Sequence, residues 1–191
     1  MRGLLPLAPL LLLLAPLEGG REKRKCPEFR FSLPGGEEVN LERYRGKVVV
    51  VEVMLTTCPS CKRCAQTIES LYRELAGQGL QPVAVAMNDV GEQQIAAYRK
   101  VVGLTYPVGY ADRMAVLRLL RHPVQEPVYV PQLVFIDRGG MIRAKYAGTD
   151  YFFRDEKTNI RKLVEELLRE RSPASSAGGA AARPEALPAR P

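Results

Sequence analysis

VVVVEVMLTTCPSCKRCAQTIESLYRELA, residues 48–76, is the stretch from which the rest of the chain can be read. Residues 48–55 carry six Val or Leu in eight positions, the length and composition of a strand buried on both faces. The run ends at Thr56-Thr57. Beyond Cys58 the apolar period changes. Ala65, Ile68, Leu71, Tyr72 and Leu75 recur at three and four residues, one side of a helix, which Gly77 is expected to stop. The spacing therefore predicts that Cys58-Pro59-Ser60-Cys61 straddles the carboxyl end of a strand and the first turn of a helix.

That placement carries chemistry. The thiolate is the nucleophile in disulfide exchange, and a free cysteine, with a pKa of ~8.5, is mostly thiol at neutral pH. The unpaired N–H groups of a helix start, together with the helix dipole, favour the anion. Cys58 would occupy that start, with Pro59 at the first helical position, where no N–H is missed. Cys58 reads as the attacking thiolate and Cys61, one turn on, as the thiol that releases a mixed disulfide.

Strand, CPSC and helix resemble the active-site unit of the thioredoxin superfamily, and within it the TlpA/ResA-like thiol–disulfide oxidoreductases of the redoxin (AhpC/TSA) group. Three further stretches carry the resemblance. Residues 27–29 and 33–41, then Tyr44-Arg45-Gly46-Lys47, are similar to the amino-terminal hairpin that leads into the first core strand of those proteins. Val130-Pro131 before residues 132–137 resembles their cis-proline loop and the strand after it, and Asp137-Arg138-Gly139-Gly140 their next hairpin turn.

The fold implied is α/β and thioredoxin-like, a central mixed β-sheet flanked by helices with an N-terminal β-hairpin. The activity implied is exchange of a CxxC dithiol/disulfide with protein thiols and disulfides, without a cofactor. The resemblance also implies a cis peptide at Pro131, a Val130 backbone free to pair with a substrate strand, and Thr57 and Pro59 bordering that substrate. An electron donor or acceptor of thioredoxin or DsbD type, and a monomeric state, belong to the same expectation.

Glu52 is the only charged residue of its strand. A solvent-facing glutamate at a sheet edge is the plain reading, but its neighbours look apolar on both sides. Thioredoxins hold a buried acid six residues before the first cysteine, which is the position of Glu52. The resemblance makes it the group that takes the Cys61 proton, since burial raises a carboxyl pKa towards neutrality. The chain departs from the family in having no tryptophan. Thr57 stands where an aromatic residue is common, which leaves the grip on substrate less apolar.

The flanks explain the charge. The net charge is +7, of which +4 lies outside residues 27–171 and only +3 within them. No concentrated basic domain face is implied, so nucleic acid is not an expected partner. Residues 1–17 form a leucine-rich run after Arg2, too short for a membrane span and similar in length to a signal-peptide core. The expectation is a signal peptide or anchor over residues 1–20 and an extracytoplasmic location, periplasmic or membrane-anchored. A basic linker over 21–26 follows, with Arg21, Lys23, Arg24 and Lys25, and such charge tends to stay on the cytoplasmic side. The thioredoxin-like domain is expected over 27–171 and a disordered Ala/Pro-rich tail over 172–191.

Other elements read as a hairpin on Phe29, Phe31, Leu33, Val39 and Leu41 turning at Gly35-Gly36, strands at 80–87 and 106–109, and helices at 92–101 and 112–120. The last of these helices should turn Met114, Leu117 and Leu120 to one side. Strands at 132–136 and 141–146 follow, then an amphipathic helix on Ile160, Leu163, Val164, Leu167 and Leu168.

Two other functions fit parts of the pattern. A peroxiredoxin-like peroxidase would need PxxxTxxC, and Val51 and Leu55 stand where its Pro and Thr belong. A metal-binding protein could use Cys58, Cys61 and Cys64 with Cys26, or, as in copper carriers of the Sco type, two cysteines with a distant histidine; His122 is the only one in the chain. Sco-type cysteines are spaced CxxxC, and no metal ligand is assigned. Cys64 reads as a buried packing residue. Cys26 reads as a free thiol, or as a third redox partner.

Overall fold

The computed structural model describes residues 20–88 and 90–170. Its centre is β4, Val48–Met54, with all seven residues buried, as a valine run without polar alternation requires. β4 pairs in parallel with β5, Leu80–Ala86, and antiparallel with β7, Gln132–Ile136. Outward from β5 lies β6, Val108–Tyr110, which carries the hairpin of β2, Arg30–Ser32, and β3, Glu38–Asn40. Outward from β7 lie β8, Met141–Tyr146, and β1, Gly20–Lys25. The mixed eight-stranded sheet runs β1-β8-β7-β4-β5-β6-β2-β3.

Among the described residues four α-helices cover it: α1 at Pro59–Leu75, α2 at Glu92–Val102, α3 at Arg113–Leu120 and α4 at Glu156–Arg169. Strand alternation sorts the core into two layers. Val48, Val50 and Met54 pack with the apolar sides of α1, α2 and α4. Val49, Val51 and Val53 pack with α3 and the Phe29, Phe31 and Val39 side chains of the hairpin. Glu52 has the parity of Val50 and Met54, so it projects under α1, α2 and α4, where it is 0 % exposed.

The expected hairpin forms, with Phe31 opposite Val39 and positive φ at both Gly35 and Gly36. Three expectations are corrected. Gly77 does not stop α1. The helix tightens into a 3-10 turn over Ala76–Gln78, and the left-handed residue that ends it is Gly79, φ 100°. A glycine with ordinary φ has no terminating geometry to offer. Met114 is 43 % exposed, whereas Val116, Leu117, Leu119 and Leu120 are buried. Asp112 caps the helix by accepting from the N–H groups of Met114 and Ala115, and only the later residues of this short helix reach the sheet.

The third correction concerns the basic linker expected at 21–26, most of which is strand β1. Arg21 pairs with Ala144 and Arg24 with Ile142 along the open edge of β8. Arg24 is buried and donates to the Leu119 carbonyl at 2.6 Å and to Glu22 at 3.0 Å. Long basic side chains can lay their stems along apolar surface while their heads find acceptors, so charge density concealed a strand. The leader expected over 1–20 lies outside the described residues except for Gly20, which opens β1, and the tail over 172–191 lies outside them entirely. Among the described residues no helix is long and apolar enough to cross a membrane.

Candidate active site

Cys58 is the N-cap of α1 and Pro59 its first residue, where the spacing put them. The Cys58 Sγ accepts from the Cys61 backbone N–H at 3.2 Å and lies 3.1 Å from the Ser60 hydroxyl. Burial works against the Cys58 anion, but hydrogen bonds from the side chains and backbone N–H groups of Cys61 and Ser60 outweigh it. The Cys58 pKa is pulled below its ordinary value. Ser60 was not singled out by its sequence position. Its signal was available, since a hydroxyl inside CxxC lies within the first turn and can reach the capping sulfur.

The second cysteine has the opposite character. Cys61 is fully buried, and burial together with its hydrogen bond to Cys58 pushes its thiol well above the ordinary value. One sulfur is reachable and acidic, the other enclosed and kept as thiol. All four cysteines are free thiols in the structure.

The loop into Cys58 is tied to the segment that follows β5. Asn88 donates to the Thr56 hydroxyl at 3.3 Å and accepts from the Thr56 N–H at 3.4 Å. The Cys58 N–H turns back to the Leu55 carbonyl at 3.0 Å. Thr57 and Pro59 are exposed beside Cys58.

The Val130-Pro131 peptide is cis. Antiparallel register sets Gln132 beside Val53, so Pro131 stands at the end of β4 from which the chain runs on to Cys58. Val130 and Cys58 pack against the same core layer. The loop is held by Gln132, which donates to the Tyr129 carbonyl at 3.0 Å, and by the Gly148 N–H, which donates to the same oxygen at 3.3 Å. A Cβ on Gly148 would meet the Val130 carbonyl oxygen at 2.5 Å, so only glycine lets the two segments approach this closely. Gly148 lies far along the chain and carries no motif that would have marked it.

Beneath the cysteines, burial holds the Glu52 carboxyl well above the usual carboxylate range, reinforced by the nearby charges of Cys58 and Glu156. Neither Glu52 oxygen has a hydrogen-bond partner among the described residues. Cys64, one turn past Cys61, is also fully buried and its thiol is pushed up by burial.

Cys26 and His122 are not brought to this site. The Cys26 N–H bonds the Gly140 carbonyl at 3.0 Å, and its side chain lines a small cavity with Val49 and Ile136, at the opposite end of β4. Five residues of strand, roughly 16 Å at ~3.3 Å each, separate Val49 from Met54. A disulfide needs Cα atoms within ~7 Å, so Cys26 is not a third redox partner of the pair. Burial pushes its thiol up to about 11. His122 follows α3, on the other face of the sheet from α1, with its Nδ1 2.9 Å from the Pro123 carbonyl oxygen. Among the described residues no three His, Cys, Asp or Glu side chains gather as a metal site.

The AhpC/TSA family model matches residues 23–145. The chain belongs to the AhpC/TSA family. Among curated relatives, it is 30% identical over 126 residues to the thiol-disulfide oxidoreductase ResA of Geobacillus thermodenitrificans, covering 65% of this chain and 68% of the relative. It is 26% identical over 133 residues to the thioredoxin-like protein YneN of Bacillus subtilis, covering 69% and 74%. Among solved structures, a secreted thiol-disulfide isomerase from Corynebacterium glutamicum superposes with a TM-score of 0.68 at 16% identity, covering 83% of this chain and 95% of that one. A thiol:disulfide interchange protein of the thioredoxin family from Chlorobium tepidum does so with 0.64 at 20% identity, covering 77% and 97%. The thioredoxin-like fold is thus shared at low identity, and this AhpC/TSA member is of the TlpA/ResA-like kind.

Proposed function

We propose that this thiol–disulfide oxidoreductase works through Cys58 as nucleophile, Cys61 as resolving thiol and Glu52 as proton acceptor, with the Val130-Pro131 loop as the ledge that receives the substrate chain. One observation carries the reading: the half-buried Cys58 sulfur at the helix start accepts the Cys61 N–H and faces the Ser60 hydroxyl, while the neighbouring Cys61 thiol is buried and held protonated.

In the reducing direction the Cys58 thiolate attacks one sulfur of a protein disulfide. The substrate S–S bond breaks, a Cys58–substrate disulfide forms, and the departing substrate thiolate takes a proton from water. Cys61 then gives its proton to Glu52, and its thiolate attacks the Cys58 sulfur. The second substrate thiolate leaves, the Cys58–Cys61 disulfide closes, and two electrons have passed from protein to substrate. The oxidising direction runs the same steps backwards, with Glu52 returning the proton.

An exposed Thr57 and Pro59 border the cysteine, and the Val130 backbone offers strand-like pairing to an extended substrate. The partner that resets the pair is a protein dithiol/disulfide of thioredoxin or DsbD type, and the chain acts as a monomer outside the cytoplasm. The leucine-rich run at residues 1–17 supports that location, as does the secreted relative from Corynebacterium glutamicum.

The test is catalysis of insulin reduction by dithiothreitol, with hydrogen peroxide consumption measured in parallel. Accelerated insulin precipitation and no peroxide turnover are expected. Peroxide turnover without insulin reduction would replace this reading by the peroxidase one.

A further inference from the structure

Two polar side chains in the helix-covered core have no hydrogen-bond partner among the described residues: Glu52, at both carboxyl oxygens, and Tyr98, at its hydroxyl. Buried polar atoms are paired in nearly all proteins, so each orphan requires an account. These two share one layer. Glu52 projects into it from β4 with Val50 and Met54, and Tyr98, 5 % exposed, enters it from α2 beside Cys61, Cys64 and Tyr106.

Tyr98 also touches the outside. It lines a groove with Thr56, Thr57, Lys62, Asn88 and Gln94, residues from both sides of the CPSC segment among them. After burial, the strongest influence on its phenol is the charge of Glu52, ahead of Cys61, Cys58 and Cys64.

The other groups facing Glu52 offer its anion only weak thiol donors or further negative charge. α1 contributes Cys58, Cys61 and Cys64, and α4 contributes Glu156, all neutral or negative. Tyr106, on the segment before β6, has its hydroxyl committed to the Ala65 carbonyl at 3.3 Å. A carboxylate only accepts, and a phenol can donate. Tyr98 is therefore the strongest uncommitted donor in this layer.

We propose that Tyr98 is a positioning residue for Glu52: its hydroxyl donates to the ionised carboxylate through one buried water and tunes it to take the Cys61 proton at neutral pH. A single water between two such polar groups is an ordinary feature of protein interiors. The proposal rests on Glu52 being the proton acceptor. Its sign follows from which form is bonded. A donor to the anion lowers the carboxyl pKa, so removing the donor raises it.

The experiment loads Cys58 of the full chain with thionitrobenzoate and follows its coloured release by Cys61 as a function of pH. In Tyr98→Phe the inflection assigned to Glu52 moves up by about one pH unit and release at pH 7 slows about tenfold, as loss of a hydrogen bond to a charged group requires. With 3-fluorotyrosine at position 98, a stronger donor of nearly the same size, the inflection moves down. In a Glu52→Gln background Tyr98→Phe changes nothing further.

A merely structural hydroxyl would leave the profile in place, and its deletion would leave stability unchanged or raised. An unmoved inflection in both Tyr98 variants, with Glu52→Gln still abolishing it, overturns the assignment of Tyr98 alone. A profile indifferent to Glu52→Gln overturns both assignments.

Discussion

Serine in place of Cys58 abolishes disulfide reduction, with turnover falling by at least about 1,000-fold, because no other group can supply the attacking sulfur. Cys61 and Cys64 are both 0 % exposed and their thiols are pushed up, and Cys26 sits at the far end of the sheet. Serine in place of Cys61 fails differently. Cys58 keeps its place at the head of α1 and still attacks, but the mixed disulfide has no resolving thiol and accumulates. Mass spectrometry of the Cys61→Ser protein incubated with a disulfide peptide should find that peptide on Cys58. Transfer to Cys64 instead, as a Cys58–Cys64 disulfide, would mean that the buried thiol one turn on can resolve.

Glu52→Gln should slow resolution about 100-fold at pH 7, the low end of what a positioned proton acceptor contributes, while leaving the first attack on substrate unchanged. It should also change how stability depends on pH. The folded carboxyl is raised above its unfolded value of ~4.3, chiefly by burial, so the folded state binds the proton more tightly than the unfolded one. The stability this supplies is complete below the unfolded pKa and is lost as pH rises through the folded pKa, at up to about 1.4 kcal/mol per pH unit. Resistance of the wild type to urea should weaken over that window, and Glu52→Gln should flatten the slope. Identical slopes in the two proteins would mean that Glu52 is not desolvated in solution.

Much of this was legible in one stretch of sequence. The valine run specified a strand buried on both sides, and the change of period after Cys58 placed the cysteines on a helix start. Each inference rests on local geometry, which is why Cys58 and Pro59 fall where spacing put them. The burial of Glu52 was legible from its apolar neighbours on both sides, although which face of the sheet it takes was not.

What escaped was non-local or masked by charge. β1 was hidden because its basic residues read as a linker, and only the open edge of β8 makes it a strand. Gly148 supports the Val130 loop across a tertiary contact that no spacing encodes. Tyr98 carries the pattern of a core helix residue, and its hydroxyl gains meaning only once Glu52 is seen unpaired in the same layer. Met114 was misassigned because three-residue spacing cannot tell which turns of a short helix reach the sheet.

The most direct measurement is the alkylation rate of the reduced protein with iodoacetamide from pH 5 to 10, with the modified residue mapped by mass spectrometry. Cys58 should be the residue that reacts, its rate titrating with a midpoint below that of a free cysteine, while Cys61 and Cys64 stay unmodified in the folded protein. A midpoint at or above the free-thiol value, or modification falling first on Cys61, would contradict the claim that the start of α1 holds Cys58 as the reactive thiolate.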